Sequence, residues 1–328
     1  MRAPEFWRGG PSFLVAALAP LSLFWRAGTA IRRMIAKPAR APLPVICVGG
    51  LVAGGSGKTP VAIALAQFLL REGIAAHIVS SGYRGSFSKS RAARRIDLSR
   101  HDAAETGDEA MLLAHYAPTW VCRERCQAAR AAHEAGAEAV ILDDGFQDPS
   151  IVKDLSLLVV DGGYGFGNRR IIPAGPLRET IADGLGRADA VVLVGENTSG
   201  VTAAIPTAIP LLRAILMPGP EAADLAGREV VAFAGIGHPE KFFQTLKSLG
   251  CRIRAAHAFP DHHRYQPREI EKLLSEAAKT GAVLVTTAKD AVRLPAEARG
   301  KVAVLSIMLA FRDEEALARL LAPLFVRG

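Results

Sequence analysis

Acidic residues are nearly missing from the start of this chain: Glu5 is the only one before Glu72. Aromatic residues are also scarce, at 6%. That composition argues against the stacking platforms on which single-stranded nucleic acid is bound. There are only four cysteines, Cys47, Cys122, Cys126 and Cys251. Cys122 and Cys126 are close in sequence, but no second Cys/His pair completes a zinc pattern, so reduced structural thiols are expected. No internal repeat is seen. What remains is a chain of 328 residues, 50% hydrophobic and 22% charged, enough for two ordinary domains with a real core. Its net charge of +8 calls for an anionic counterpart: nucleic acid, phosphate ligands or an acidic membrane face.

The most informative stretch is Gly54-Gly55-Ser56-Gly57-Lys58-Thr59. It follows a strand-like run, Val45 to Val48, and precedes a helical run, Pro60 to Leu70. Strand, glycine loop, Lys-Thr and helix together make a phosphate cradle, because glycines let backbone N–H groups turn onto phosphate oxygens. The loop is taken as Val52, Ala53, Gly54, Gly55, Ser56, Gly57, Lys58 and Thr59. Lys58 would reach the nucleotide phosphates of ATP, and the Thr59 hydroxyl would sit on Mg²⁺. The pattern G-x-x-x-x-G-K-[ST] expects glycine at position 52, where this chain has valine; Gly54 and Gly55 are expected to supply the turn freedom instead.

Strand-like runs recur at Ala75 to Ser80, Thr119 to Cys122, Ala139 to Asp143, Leu155 to Val160 and Ala190 to Val194, with helical runs between the earlier of them. Such alternation predicts an α/β fold: a phosphate-loop, mostly parallel sheet with helices on both faces. A proline-rich passage, Ile205 to Pro220, reads as a junction, and a second strand-helix series starts at Glu229. The simplest division is an N-terminal helical segment at 1–40, a nucleotide-binding domain at 41–216, and a smaller α/β domain at 217–328 that closes the cleft.

Candidate chemistry gathers at strand ends. Asp143 and Asp144 end an apolar strand, where phosphate-loop enzymes keep a metal-binding carboxylate, and hard Mg²⁺ takes oxygen ligands. Asp108 and Glu109 open a helix; N-capping is the plain role for Asp108, and a base beside the acceptor hydroxyl is the catalytic one. Arg178 and Glu179 follow a proline-glycine turn and form either a phosphate clamp or a surface ion pair. His262, within Phe259 to Tyr265, stands beside Asp261, a pairing able to tune a general base.

Ser12 to Trp25 carries no charge, but it is short for a membrane-spanning helix and Pro20 interrupts it. Arg2 and Arg8 precede it, and Arg26, Arg32, Arg33, Lys37 and Arg40 follow. Three readings compete: a signal peptide, a packing helix, and a helix lying on an anionic leaflet. The last explains both the apolar run and the cations.

The chain resembles the tetraacyldisaccharide 4'-kinase (lipid A 4'-kinase) family. The blocks that carry the likeness are Gly49 through Pro60, Ser80 to Tyr83, Gly107-Asp108-Glu109, Asp143 to Gln147, Gly165 to Asn168, Pro173 to Glu179, Phe233 to Ile236, Phe259 to His262 and Thr286 to Asp290. They stand in the family's order along nearly the whole chain. The resemblance implies transfer of the ATP γ-phosphate to the 4'-hydroxyl of a lipid A disaccharide precursor, with Mg²⁺, at the cytoplasmic face of the inner membrane. It implies Asp108 as catalytic base paired with His262, Lys58 on the phosphates, and Arg178 and Glu179 near the acceptor or γ-phosphate. The implied metal set is Thr59, Glu109, Asp143 and Asp144. No nucleic acid and no obligate protein partner is expected. The chain departs from the family at Gly50, Ser81, Asp148 and Ala288, where asparagine, arginine, histidine and glutamate are frequent. Two other functions weigh less. Guanine recognition wants [NT]-K-x-D, but Lys289 and Asp290 are adjacent here, and a nucleic-acid-dependent ATPase rests on net charge alone.

Overall fold

The computed structural model describes residues 4–9 and 13–326, so Arg2 and Ser12 lie outside it. Helix α1 (Phe13–Ile35) runs 23 residues and continues through Pro20. This corrects the expectation of a segment too short to span a bilayer. The helix does not stop with the charge-free stretch at Trp25 but carries on to Arg32 and Arg33, whose cations suit the negative end of the helix dipole. It is long and apolar enough to cross a membrane by length and composition, and Ser22 is the one buried position among its described residues.

Among the described residues thirteen strands follow: β1 (Val45–Gly49), β2 (Ala76–Ser80), β3 (Arg94–Arg95), β4 (Thr119–Val121), β5 (Ala139–Asp143), β6 (Leu155–Asp161), β7 (Ala190–Val194), β8 (Leu211–Pro218), β9 (Glu229–Ala234), β10 (Arg252–Ala258), β11 (Val283–Thr287), β12 (Ala303–Leu305) and β13 (Ile307–Phe311). Nine build one sheet in the order β13-β8-β7-β6-β1-β5-β2-β4-β3. It is parallel except at its two edges, where β3 and β13 run antiparallel. Its centre is dry on both faces. Ile46 and Val48 of β1 pack with α2 (Lys58–Arg71) in one core, while Val45 and Cys47 point into the opposite core. That double burial is why the strand reads as an unbroken apolar run. From β1 the chain winds towards β5 and β2, whereas β6 to β8 lie on its other side. The crevice at the carboxyl ends of β1 and β6 is therefore a topological switch point, where open α/β sheets bind ligands.

The remaining four strands form a second, parallel sheet in the order β10-β9-β11-β12. A boundary at 217 needs correction, because Met217 lies inside β8 and the chain returns after β12 to the first sheet. There β13 pairs along β8 from Ile307 to Phe311, covering an otherwise open edge. Leu317 and Leu321 of the helix Glu314–Leu321 join Leu309 and Phe311 in the core against α2.

Candidate active site

The glycine loop connects β1 to α2, and its backbone explains its glycines. Gly54 has φ +126 and Gly57 φ +84, values that side chains rarely adopt. Val52 needs no such freedom. It is buried and bridges to Leu177 in antiparallel fashion. Its neighbours complete the strap: Ala53 N donates to Pro176 O at 2.8 Å, and Arg178 N to Leu51 O at 2.7 Å. The missing glycine thus marks a place where the loop is held extended against the segment carrying Arg178 and Glu179. Lys58 Nζ donates to Gly54 O at 3.1 Å and lies 3.9 Å from Asp144 Oδ1.

Asp143 and Asp144 sit at the end of β5 but differ in surroundings. Asp143 is 3% exposed, and its Oδ1 takes no hydrogen bond. Burial, reinforced by the Glu109 and Asp144 carboxylates, pushes it up to about 7. Asp144 has φ +51, the left-handed region. Arg178 forks onto both of its oxygens at 2.9–3.0 Å. Burial would raise Asp144, but Lys58 and Arg178 outweigh that and hold it below the usual carboxylate range. Buried Arg125 donates to the carbonyls of Asp143 (3.1 Å) and Asp144 (3.0 Å) and pairs with Asp148 at 3.1 Å, which fixes the turn. Nothing in the alanine-rich stretch around Arg125 signalled that role, though Asp148 is one of the departures from the family.

Asp108 is the first residue of the helix Asp108–Ala114, whose N-cap position is taken by Gly107, and its carboxylate faces the second unit instead. Its Oδ2 lies 2.8 Å from His262 Nδ1 and 3.4 Å from Arg293 Nε. Burial raises Asp108, but the His262 hydrogen bond and the Arg293 charge win, and it is held below the ordinary range. His262 has φ +63, and its N–H donates to Gly235 O at 3.0 Å. Arg293 is tied to Asp290 at 2.6 Å, a carboxylate that also accepts from Tyr265 at 2.7 Å. Glu109 pairs with Lys289 at 3.2 Å, a second contact between the two sheets. By contrast, His263 stacks on Phe259 and pairs with Glu269 at 3.0 Å, a packing role.

Glu179 is buried, and its oxygens are taken up. Arg187 donates to both, at 2.9 and 2.7 Å; Gln147 Nε2 donates to Oε1 at 2.9 Å, and Arg33 of α1 donates to Oε2. The metal fit rests on Asp143, since an orphaned buried carboxylate oxygen beside the lysine suits a hard cation, and Thr59 supplies a hydroxyl at the start of α2. Among the described residues, no three His, Cys, Asp or Glu side chains converge as an all-protein metal cage. Mg²⁺ needs none, since it is usually held by one or two carboxylates together with substrate phosphates. A cavity of about 110 Å³ lies over the loop, walled by Gly54, Ser56 and Asp161 and, from the second unit, by His238 and Lys241. A larger open cleft of about 940 Å³, at 95–101 and 114–118, holds none of these groups.

This architecture is that of a phosphate-loop kinase, with Asp108 and His262 brought together from the units built on the two sheets. The family model for Tetraacyldisaccharide-1-P 4'-kinase matches residues 14–325, and the chain belongs to that family. The tetraacyldisaccharide 4'-kinase of Paramagnetospirillum magneticum is 55% identical over 330 residues, covering 100% of this chain and 98% of its own. The one from Rhodospirillum centenum is 53% identical over 329 residues, covering 99% and 97%. Among solved structures, that of "apo" form LpxK from Aquifex aeolicus in complex with ATP matches with a TM-score of 0.77 at 28% identity, covering 95% of this chain and 100% of that one.

Proposed function

We propose that the chain is an ATP-dependent kinase that phosphorylates the 4'-hydroxyl of a tetraacyldisaccharide 1-phosphate in lipid A biosynthesis. The observation that carries this is the contact of Asp108 with His262 across the two sheets, beside a phosphate loop. Lys58 and the loop N–H groups hold the ATP phosphates. Thr59 and Asp143 would hold Mg²⁺, with Asp144 and Glu109 behind them, and the cation would neutralise charge on the phosphate oxygens. Asp108 orients the acceptor hydroxyl and accepts its proton. Its lowered basicity fits a loose transition state, in which the proton moves late and positioning dominates. His262 and Arg293 hold the carboxylate in aim.

The 219–306 unit acts as the closing half of the cleft. His238 and Lys241 of this unit wall the cavity over the loop beside Gly54 and Ser56, so admitting ATP and closing over it would shift them relative to the loop. Reclosure then excludes water and suppresses hydrolysis. Helix α1, with Phe13, Leu23, Phe24, Met34 and Ile35 exposed among its arginines, seats the enzyme on the anionic cytoplasmic leaflet of the inner membrane, where the acceptor resides.

The test is incubation with ATP, Mg²⁺ and detergent-solubilised tetraacyldisaccharide 1-phosphate, followed by product mass. A gain of one phosphate on the lipid is expected; ATP hydrolysis with no gain on the lipid would sink the proposal.

A further inference from the structure

Helix α1 touches the rest of the protein along one stripe. Val15, Leu18, Ser22, Thr29 and Arg33 are its more sheltered positions, spaced at three, four, seven and four, which is one face of a helix. The polar contacts on this face share one target. Ser22 Oγ donates to Ile171 O at 2.8 Å, Trp25 Nε1 to Arg178 O at 2.9 Å, and Arg33 to the buried Glu179 carboxylate. All three hold the 171–179 segment, whose other side is strapped to the phosphate loop at Leu51 and Ala53. From Glu179 the contacts run inward. Gln147 donates to Glu179 at 2.9 Å and accepts from Arg178 at 3.1 Å; Arg178 forks onto Asp144, and Asp144 stands 3.9 Å from Lys58.

We propose that Arg33 is a positioning residue for phosphoryl transfer: it fixes Glu179, and through Gln147 and Arg178 it sets the Asp144–Lys58 pair, so that the seat of the apolar helix shapes the site. This rests on the reading of Lys58 and Asp144 given above. Glu179 is 3% exposed and Arg33 31%, so the pair lies at the boundary where helix meets protein. A carboxylate so buried cannot fall back on water when a donor is removed. With Arg33 lost, Gln147 and Arg187 remain, so the segment stays folded but Glu179 is drawn towards Arg187. Gln147 and Arg178 follow it, and phosphoryl transfer is sensitive to displacement at that scale. A pure anchor would act differently. It would change how much enzyme or lipid reaches the surface, not the rate once both are bound.

The experiment uses the full chain with ATP and the lipid acceptor in mixed micelles, comparing wild type, R33A, R33K, R33Q, R26A and K58A. Arg26 is an exposed cation of the same helix and serves as the anchoring comparison. Flotation with phosphatidylethanolamine/phosphatidylglycerol vesicles is measured in parallel. R33A is expected to lower kcat roughly tenfold or more with the KM for ATP and flotation unchanged. R33K should recover part of kcat, while R26A should act on flotation and on the KM for lipid. R33Q keeps one donor and covers the case in which R33A fails to fold. Wild-type kcat in R33A or R33Q, or a loss confined to flotation and lipid KM, would overturn the inference. If wild type transfers phosphate and K58A does not, such a result removes Arg33 alone; if wild type itself does not transfer, the function proposed above falls with it.

Discussion

His262 Nδ1 lies 2.8 Å from Asp108 Oδ2 although 154 positions separate the two residues in the chain. Asp108 stands at the start of a helix beside the large sheet, and His262 on the loop after β10 of the small one. The contact exists only when the two units face each other, so in the proposed mechanism one hydrogen bond would join closure to chemistry. His262 is held in a left-handed conformation at φ +63, a cost that persists where surrounding structure over-determines a residue.

Removing either partner should separate binding from transfer. Asp108→Ala is expected to lower kcat by about 10²–10⁴, the usual worth of a positioned base, with ATP affinity retained. His262→Ala should cost less, since Arg293 still holds Asp108 at 3.4 Å. The pH profile carries a sign. The folded state depresses Asp108, so its ionised form and the stability it brings are present above the unfolded carboxylate value and lost as pH falls through the folded one. Deleting His262 removes a depressing influence, so the acid limb of the rate profile should move to higher pH. A limb unmoved in His262→Ala would remove Asp108 as the group that titrates.

Asp143 predicts the opposite sign. Its folded value is pushed up to about 7, so above the unfolded value of about 3.9 the native state carries a growing penalty for ionising it, complete once pH passes 7. Without nucleotide or metal, Asp143→Asn should therefore be more stable than wild type at pH 8, by an amount on the order of a few kcal/mol, and no more stable near pH 4. Mg²⁺ with ATP should raise the melting temperature of wild type more than that of the variant, and the variant should be inactive. Thermal melts at the two pH values decide it; equal melting at pH 8 would show that Asp143 carries no unrelieved charge.

Val52→Gly restores the residue that the loop pattern expects, yet it should do harm. Val52 is 9% exposed and bridges to Leu177, so glycine loses buried side chain and adds freedom to the unfolded chain. The cost should be about 1–3 kcal/mol, seen as a lower urea midpoint with no gain in kcat. An unchanged midpoint would mean that the strap contributes nothing.

The glycine loop and the central strands were legible because local pattern and fold agree there: Gly54 and Gly57 need positive φ, and β1 and β5 are dry on both faces. Strand β8 was hidden by Pro206, Pro210 and Pro218 and read as a junction. Strand β10 escaped notice because it alternates exposed and sheltered residues, with Arg252 and Arg254 on the wet side. The charges of the site were legible in part. Lys58, Asp108 and Asp143 stand in recognisable settings, but Arg33 read only as one of the cations flanking the apolar run, and nothing in the sequence singled out Arg125 or Arg293. Their partners Glu179, Asp143 and Asp108 are set by tertiary packing, which no local pattern encodes. Glu179 was expected near the acceptor or γ-phosphate, while its oxygens are engaged by Arg33, Arg187 and Gln147.

The central claim is that two facing units place Asp108 against an acceptor hydroxyl while the loop at Lys58 holds the donor phosphate. It is tested most directly by single-turnover transfer of radiolabelled γ-phosphate to tetraacyldisaccharide 1-phosphate, measured beside ATP affinity in wild type and Asp108→Ala. The account predicts label at the 4' position of the lipid with wild type, and near-complete loss of that step in the variant at unchanged ATP affinity. Label released only as inorganic phosphate by wild type, or equal transfer by both proteins, would contradict it.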